Sequence, residues 1–149
     1  MSKLKKFSQS LGTDRIEQAI TAAELRTSGE IRVVLQSGKV DDPTAAAAKE
    51  FAKLKMHETT ERNAVLFLIA PDARCFAVYG DEGIHQKGPF HFWTQVAAAM
   101  ETHFRAGDPT LALIEGITRA ADLLAVEFPR QSDDQDELSN TIINRPPDG

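Results

Sequence analysis

Five polar residues of this chain have the types and spacing to do chemistry together: Glu30, Arg62, Asn63, Asp81 and Glu82. Carboxylates joined by an amide oxygen are hard donors, the set that calcium and magnesium take. The arginine among them opens two other outcomes. Its planar fork holds a phosphate by parallel hydrogen bonds, or it neutralises the acids as a structural ion pair, since structural pairs gather the same residue types. The residues by themselves leave all three open.

No activated nucleophile competes with this group. The chain has no GxSxG, no P-loop, no DxDx[TV] and no cysteine followed by an arginine loop. A hydrolytic route would need a metal-held water at Asp81. The histidines His57, His85, His91 and His103 include no i, i+4 pair and no HExxH, so zinc would need ligands converging from afar. His85, just after Gly-Asp-Glu-Gly-Ile, is the one placed to reach Asp81. Asp42 precedes Pro43 as a helix cap, and Asp72 is a turn residue. Asp41 and Asp42 also lie beyond the carboxyl end of the first strand, the usual ligand end of an open α/β sheet. Asp133, Asp134, Asp136 and Glu137 lack the glycine and distant glutamate of an EF-hand loop and read as a solvated acidic tail.

The elements that position the five begin with two apolar runs, Ala64–Ala70 and Cys75–Tyr79, around a Pro-Asp-Ala-Arg turn. Runs of this length without alternation read as strands covered on both faces, and the turn makes them an antiparallel hairpin. Pairing of that kind sets Arg62 and Asn63 beside Gly80, Asp81 and Glu82. Upstream, Asp14-Arg-Ile-Glu17 has the form of a capping box, opening a helix that runs to about Thr27. Ile31–Gln36 is a β-branched strand. Asp42-Pro43 then starts a second helix carrying Ala47, Phe51 and Leu54 on one face. A strand–helix–strand unit implies a parallel pair with a right-handed crossover, which aligns Glu30 with Asn63 and Asp81. Ile84–Phe90 reads as loop. A helix with Trp93, Ala97, Met100 and Phe104 follows, then Asp108-Pro109 and a last helix with Leu113, Ile117, Ala120 and Leu124, closed by Phe128-Pro129.

The fold class is therefore α/β: a three-layer, Rossmann-like α/β/α sandwich around a small mixed sheet. Residues 1–13 form a lead-in, 14–129 the domain, and 130–149 an acidic polar tail in which Leu138, Ile142 and Ile143 could dock.

A net charge of −5 argues against nucleic acid as a partner, because phosphate binding needs a concentrated basic face. The single cysteine, Cys75, excludes an internal disulfide and reads as a small hydrophobe in a buried strand. MSKLKKFSQSL has no apolar run behind its lysines, and no stretch reaches the roughly 18 apolar residues of a membrane span. The expectation is a cytoplasmic protein with no integral membrane segment and an unidentified protein partner.

The ordered set TSGEIRVVL, KLKMHETTERNAVLFLIA, FAVYGDEGIH, FW, HFRAGD, EGI and EFP resembles the TPM domain family, known from a thylakoid-lumen phosphatase, a photosystem II repair protein and a channel-auxiliary subunit. The tail DDQDEL is similar to a segment of short, anchorless bacterial members. The resemblance implies an α/β/α sandwich and divalent-metal binding, calcium or magnesium, and so favours the metal reading of Glu30, Asn63, Asp81 and Glu82. In some members it implies a weak acid phosphatase activity, and in others a link to stress or membrane-protein repair. The chain departs in having Ala64 where glycine is common after Arg-Asn, and DQDELS where the tail commonly has asparagine and proline. The leading expectation is a metal-binding interaction module rather than an enzyme. The alternatives are a weak metal-assisted phosphatase with Arg62 on phosphate, and a metal-free adaptor with a structural ion-pair cluster.

Overall fold

The computed structural model describes residues 7, 10–87, 91–130 and 142–146. The elements in order are α1 (Thr13–Glu24), β1 (Ile31–Gln36), α2 (Pro43–Lys53), a 3-10 turn (Met56–Glu58), β2 (Val65–Ala70), β3 (Cys75–Gly80), α3 (Glu82–Lys87), α4 (Phe92–Arg105), α5 (Pro109–Glu127) and β4 (Ile143–Arg145). The sheet order is β3-β2-β1-β4, with β1 parallel to both β2 and β4 and the β2–β3 hairpin antiparallel.

All six residues of β2 are buried, because helices cover both faces of the sheet. Ile31, Val33 and Leu35 of β1 and Val65, Phe67 and Ile69 of β2 pack against α1, α4 and α5 through Ile16, Ile20, Met100, Leu113 and Ile117. On the opposite face, Val34, Leu66, Leu68 and Ala77 meet Ala47 and Phe51 of α2 and Met56 of the 3-10 turn. Alternate residues of one strand thus enter two cores, which is why the strand sequences carry no polar alternation. Each fully buried Leu, Ile or Phe here contributes about 1.5–3 kcal/mol.

Local signals behave unevenly. Asp42 and Asp108 cap α2 and α5, accepting from Ala45 N at 3.1 Å and Leu111 N at 3.0 Å, each ahead of a proline at the first helical turn. The expected Asp14–Glu17 box does not form. Helix α1 starts at Thr13 after Gly12, whose N–H goes to Thr110 Oγ1 of α5 at 2.9 Å, so a tertiary contact sets this terminus. The same helix ends at Glu24 rather than Thr27. Thr27 instead donates its hydroxyl to the Phe128 carbonyl and bridges to Pro129, while Ser28 N donates to Phe128 O at 2.9 Å. The close of α5 is thereby stapled to the α1–β1 loop.

Two segments differ from expectation. Glu82–Lys87 is a short helix rather than loop. Ile143–Arg145 is a fourth strand on the free edge of β1, with Ile142 buried beside it, so the end of the expected tail belongs to the sheet. Leu138 and the four tail acids lie outside the described residues. Cys75 is half-buried rather than enclosed, and partial desolvation pushes its thiol pKa up.

Candidate functional site

Register settles the first question about the five polar residues. Ile31 pairs with Val65 and Val65 with Gly80, so Glu30, Asn63 and Asp81 do lie at one end of the sheet. Backbone bonds fix them there: Val65 N donates to Glu30 O at 2.7 Å and Asp81 N to Ala64 O at 3.0 Å.

The side chains then divide. Arg62 Nε and Nη2 donate to Asp81 Oδ2 and Oδ1 at 2.7 and 2.8 Å, a bidentate fork, and Nη1 donates to Glu82 Oε1 at 3.2 Å. Asp81 Oδ1 also accepts from Glu82 N at 2.8 Å, and the Asp81 side chain is only 5% exposed. Hydrogen bonding to Asp81 pushes the Arg62 pKa above its usual value, so the guanidinium stays charged. Asn63 belongs to a second knot. Its Nδ2 donates to Ser28 Oγ at 3.0 Å and to Glu61 Oε2 at 3.1 Å, and Ser28 Oγ also donates to Glu61 Oε2. Glu30 is buried at the head of β1.

Local backbone makes the fork possible. Arg62 has φ of +53°, the left-handed region that a non-glycine residue adopts only when its surroundings hold it. What holds it is Gly83, whose N–H donates to Arg62 O at 2.9 Å. A Cβ at Gly83 would lie 2.3 Å from Glu61 O and 2.5 Å from Arg62 O. Glycine is required by that close approach.

A divalent cation can be tested against these donors. Both Asp81 oxygens and one of Glu82 are already on Arg62, while Asn63 is oriented through its Nδ2 by Ser28 and Glu61. Among the described residues no group of three His, Cys, Asp or Glu side chains is arranged to hold a metal ion. A calcium or magnesium ion at this end would therefore compete with the Arg62 guanidinium for Asp81 and Glu82. His85 lies near Trp93, ring centroids 5.8 Å apart.

The opposite end of the sheet is differently built. Asp72 Oδ2 accepts from Gly38 N at 2.9 Å and Ser37 Oγ at 3.2 Å, tying the hairpin turn to the end of β1. Asp41 meets Lys39 at 3.7 Å with both side chains more than 80% exposed. A cleft of about 520 Å³ opens here, lined by Gln36, Asp41, Lys49, Glu50, Lys53 and Arg145 among others. Arg145 Nε donates to the nearly buried Glu50 at 2.9 Å, joining β4 to α2. Sequence reasoning missed this pair. The available signal was Glu50 itself, a charge between Ala47 and Phe51 on the buried face of α2.

Helices on both faces of a small mixed sheet, with a parallel pair running into an antiparallel hairpin locked across its end, define the class: an open α/β/α sandwich. Within that class the chain belongs to the TPM domain family, which it matches over residues 7–123. It is similar to the solution structure of the BA42 protein of the psychrophilic bacterium Bizionia argentinensis, at 38% identity over 90% of this chain and 94% of that one, with a TM-score of 0.83. The N-terminal domain of a P. gingivalis protein shares the fold at 20% identity, covering 76% of this chain and 75% of that one, with a TM-score of 0.60. No curated protein matches. No helix among the described residues is long and apolar enough to cross a membrane.

Proposed function

We propose that this TPM domain is a non-catalytic interaction module whose strand-end carboxylates are balanced from within by Arg62. The observation that supports this most directly is the bidentate fork on Asp81 at 2.7 and 2.8 Å. A guanidinium so engaged is not available to a phosphate, and a carboxylate so engaged is not available to a cation. The phosphatase reading needs both, together with a held water, and the chain offers no nucleophile to replace one. The calcium or magnesium reading at Glu30, Asn63, Asp81 and Glu82 requires Arg62 to leave Asp81, a competition that one experiment decides.

Calorimetric titration of the wild type with calcium and with magnesium, followed by a phosphomonoester assay on the same sample, is that experiment. The expected result is no heat of binding, no rise in Tm and no turnover. A cation-dependent rise in Tm that Asp81→Asn removes would replace the internal balance with a metal site. Turnover lost on chelation and in Arg62→Ala would replace the module with an enzyme.

A further inference from the structure

The charges of the cleft at the carboxyl end of β1 do not cancel as those around Asp81 do. Its volume of about 520 Å³ is that of a small-ligand site. Four cations line it, Lys39, Lys49, Lys53 and Arg145, in a chain whose net charge is −5. The acids beside them are already committed. Asp42 caps α2 through Ala45 N, Asp41 meets Lys39, and Glu50 accepts from Arg145 Nε at 2.9 Å. Lys49 and Lys53 enter none of the ion pairs of the described residues. They stand four positions apart on α2, so two like charges lie side by side on one helix face, an arrangement that costs a helix stability. The one acid within a turn of either is Glu50, and Arg145 holds it. Arg145 is itself set for a ligand by that bond. The nearly buried Glu50 fixes the guanidinium through Nε and leaves Nη1 and Nη2 without a bonded partner among the described residues. Its charge is felt beyond Glu50: burial first, and then Arg145, push the pKa of Arg32 down, against a smaller pull from Glu24.

We propose that this cleft binds a small multivalent anion, with one anionic group on the free fork of Arg145 and a second between Lys49 and Lys53. The cations stand on two walls, β4 and α2, so a ligand with a single charged group reaches only one of them. Carboxylates and phosphates both match a guanidinium fork, and lysines hold either as point charges. The shared chemistry is therefore that of a compact polycarboxylate or polyphosphate. A cleft with excess charge of one sign concentrates such ions. Its place also fits, beyond the carboxyl ends of the parallel strands β1 and β4, where open α/β sheets take their ligands. The proposal uses neither Arg62 nor Asp81, so it stands or falls apart from the internal-balance reading above.

The test is calorimetric titration of the wild-type chain with citrate and with inorganic tripolyphosphate, in metal-free buffer at low and at physiological salt. One-to-one binding that weakens with salt is expected for at least one of them. The tighter of the two tells a carboxylate ligand from a phosphate one. Acetate and methyl phosphate, each with one anionic group, should bind at least about tenfold more weakly. Lys49→Gln/Lys53→Gln, at two exposed positions, should weaken binding about tenfold without lowering Tm. Arg145→Lys keeps the charge opposite Glu50 but loses the fork, and should weaken binding several-fold. Arg119→Gln removes an exposed cation of α5 outside the cleft and should change nothing. The proposal is overturned if neither anion binds at millimolar concentration in physiological salt, or if the single-group anions bind as well. Binding indifferent to the lysine pair or to Arg145→Lys overturns it too. So does an equal loss in Arg119→Gln, which would show attraction to surface charge at large.

Discussion

The two ends of the sheet hold similar numbers of charged groups and use them in opposite ways. At the amino end of β1 and β2, Arg62, Asp81 and Glu82 come from segments adjacent through the hairpin, and they close around the buried Asp81 with Arg62 and Glu82 on the solvent side. At the carboxyl end, Asp41, Lys49, Lys53 and Arg145 line an open cleft, and the bond from Arg145 to the nearly buried Glu50 joins segments 95 residues apart. A closed polar end assembled by one hairpin acts as a lock on strand register. An open end assembled from distant segments stays accessible, as the loop-bearing end of an α/β sheet usually does.

The largest expected effect breaks the closed end through its backbone. Gly83→Val places a branched side chain against the Glu61 and Arg62 carbonyls, which cannot move without releasing the left-handed turn at Arg62. A loss of about 3 kcal/mol or more is expected, read as a fall in the urea midpoint with α4 and α5 still helical by circular dichroism. Next comes the open end. Truncation after Arg130 removes β4, exposes the surface covered by Ile142 and leaves Glu50 without Arg145. Loss of the Ile142 burial alone is about 1.5–3 kcal/mol, so the truncated chain should fold with a clearly lowered Tm. An unchanged Tm would show that the fourth strand adds nothing.

Arg62→Ala should act at the closed end only. It leaves the Asp81 carboxylate enclosed without its cation, so Tm falls, and Asp81→Asn in the same chain should recover part of the loss. Were the double variant no better than the single, the fork would not be what stabilises this end. The smallest effect concerns Cys75, beside the hairpin turn at the open end. Because burial raises its pKa, less thiolate is present at pH 8 than for a free thiol. Alkylation should be slower than for a model thiol at that pH and should keep accelerating above the pH where the model levels off.

Much of this was legible in the residues because it depends on local rules. Asp-Pro pairs at 42–43 and 108–109 start helices by capping chemistry that needs no tertiary help. The hairpin follows from two apolar runs and a proline turn, and the shared sheet end of Glu30, Asn63 and Asp81 follows from strand direction alone. What failed depended on contacts across the chain. The Asp14 box lost to a bond between Gly12 and Thr110. Helix α3, most of which falls in the Ile84–Phe90 stretch that reads as loop, is seated by Gly83 against the Arg62 carbonyl. Strand β4 looks like polar tail until β1 offers it an edge. The shared sheet end of the five polar residues is legible, yet their division into an Arg62 fork and an Asn63 knot hinges on Ser28, Glu61 and one positive φ, none of which spacing encodes.

The staple between Thr27 and Phe128 has a consequence in time rather than in energy. It joins residues 101 positions apart, whereas the β2–β3 hairpin and the α4–α5 pair close over short spans. Long loops close late, after local contacts have reduced the effective span. The hydroxyl bond from Thr27 should therefore be absent from the rate-limiting barrier to folding. Thr27→Val would leave the refolding rate almost unchanged and speed unfolding. What the staple sets, on this view, is how long the folded chain persists rather than how fast it forms.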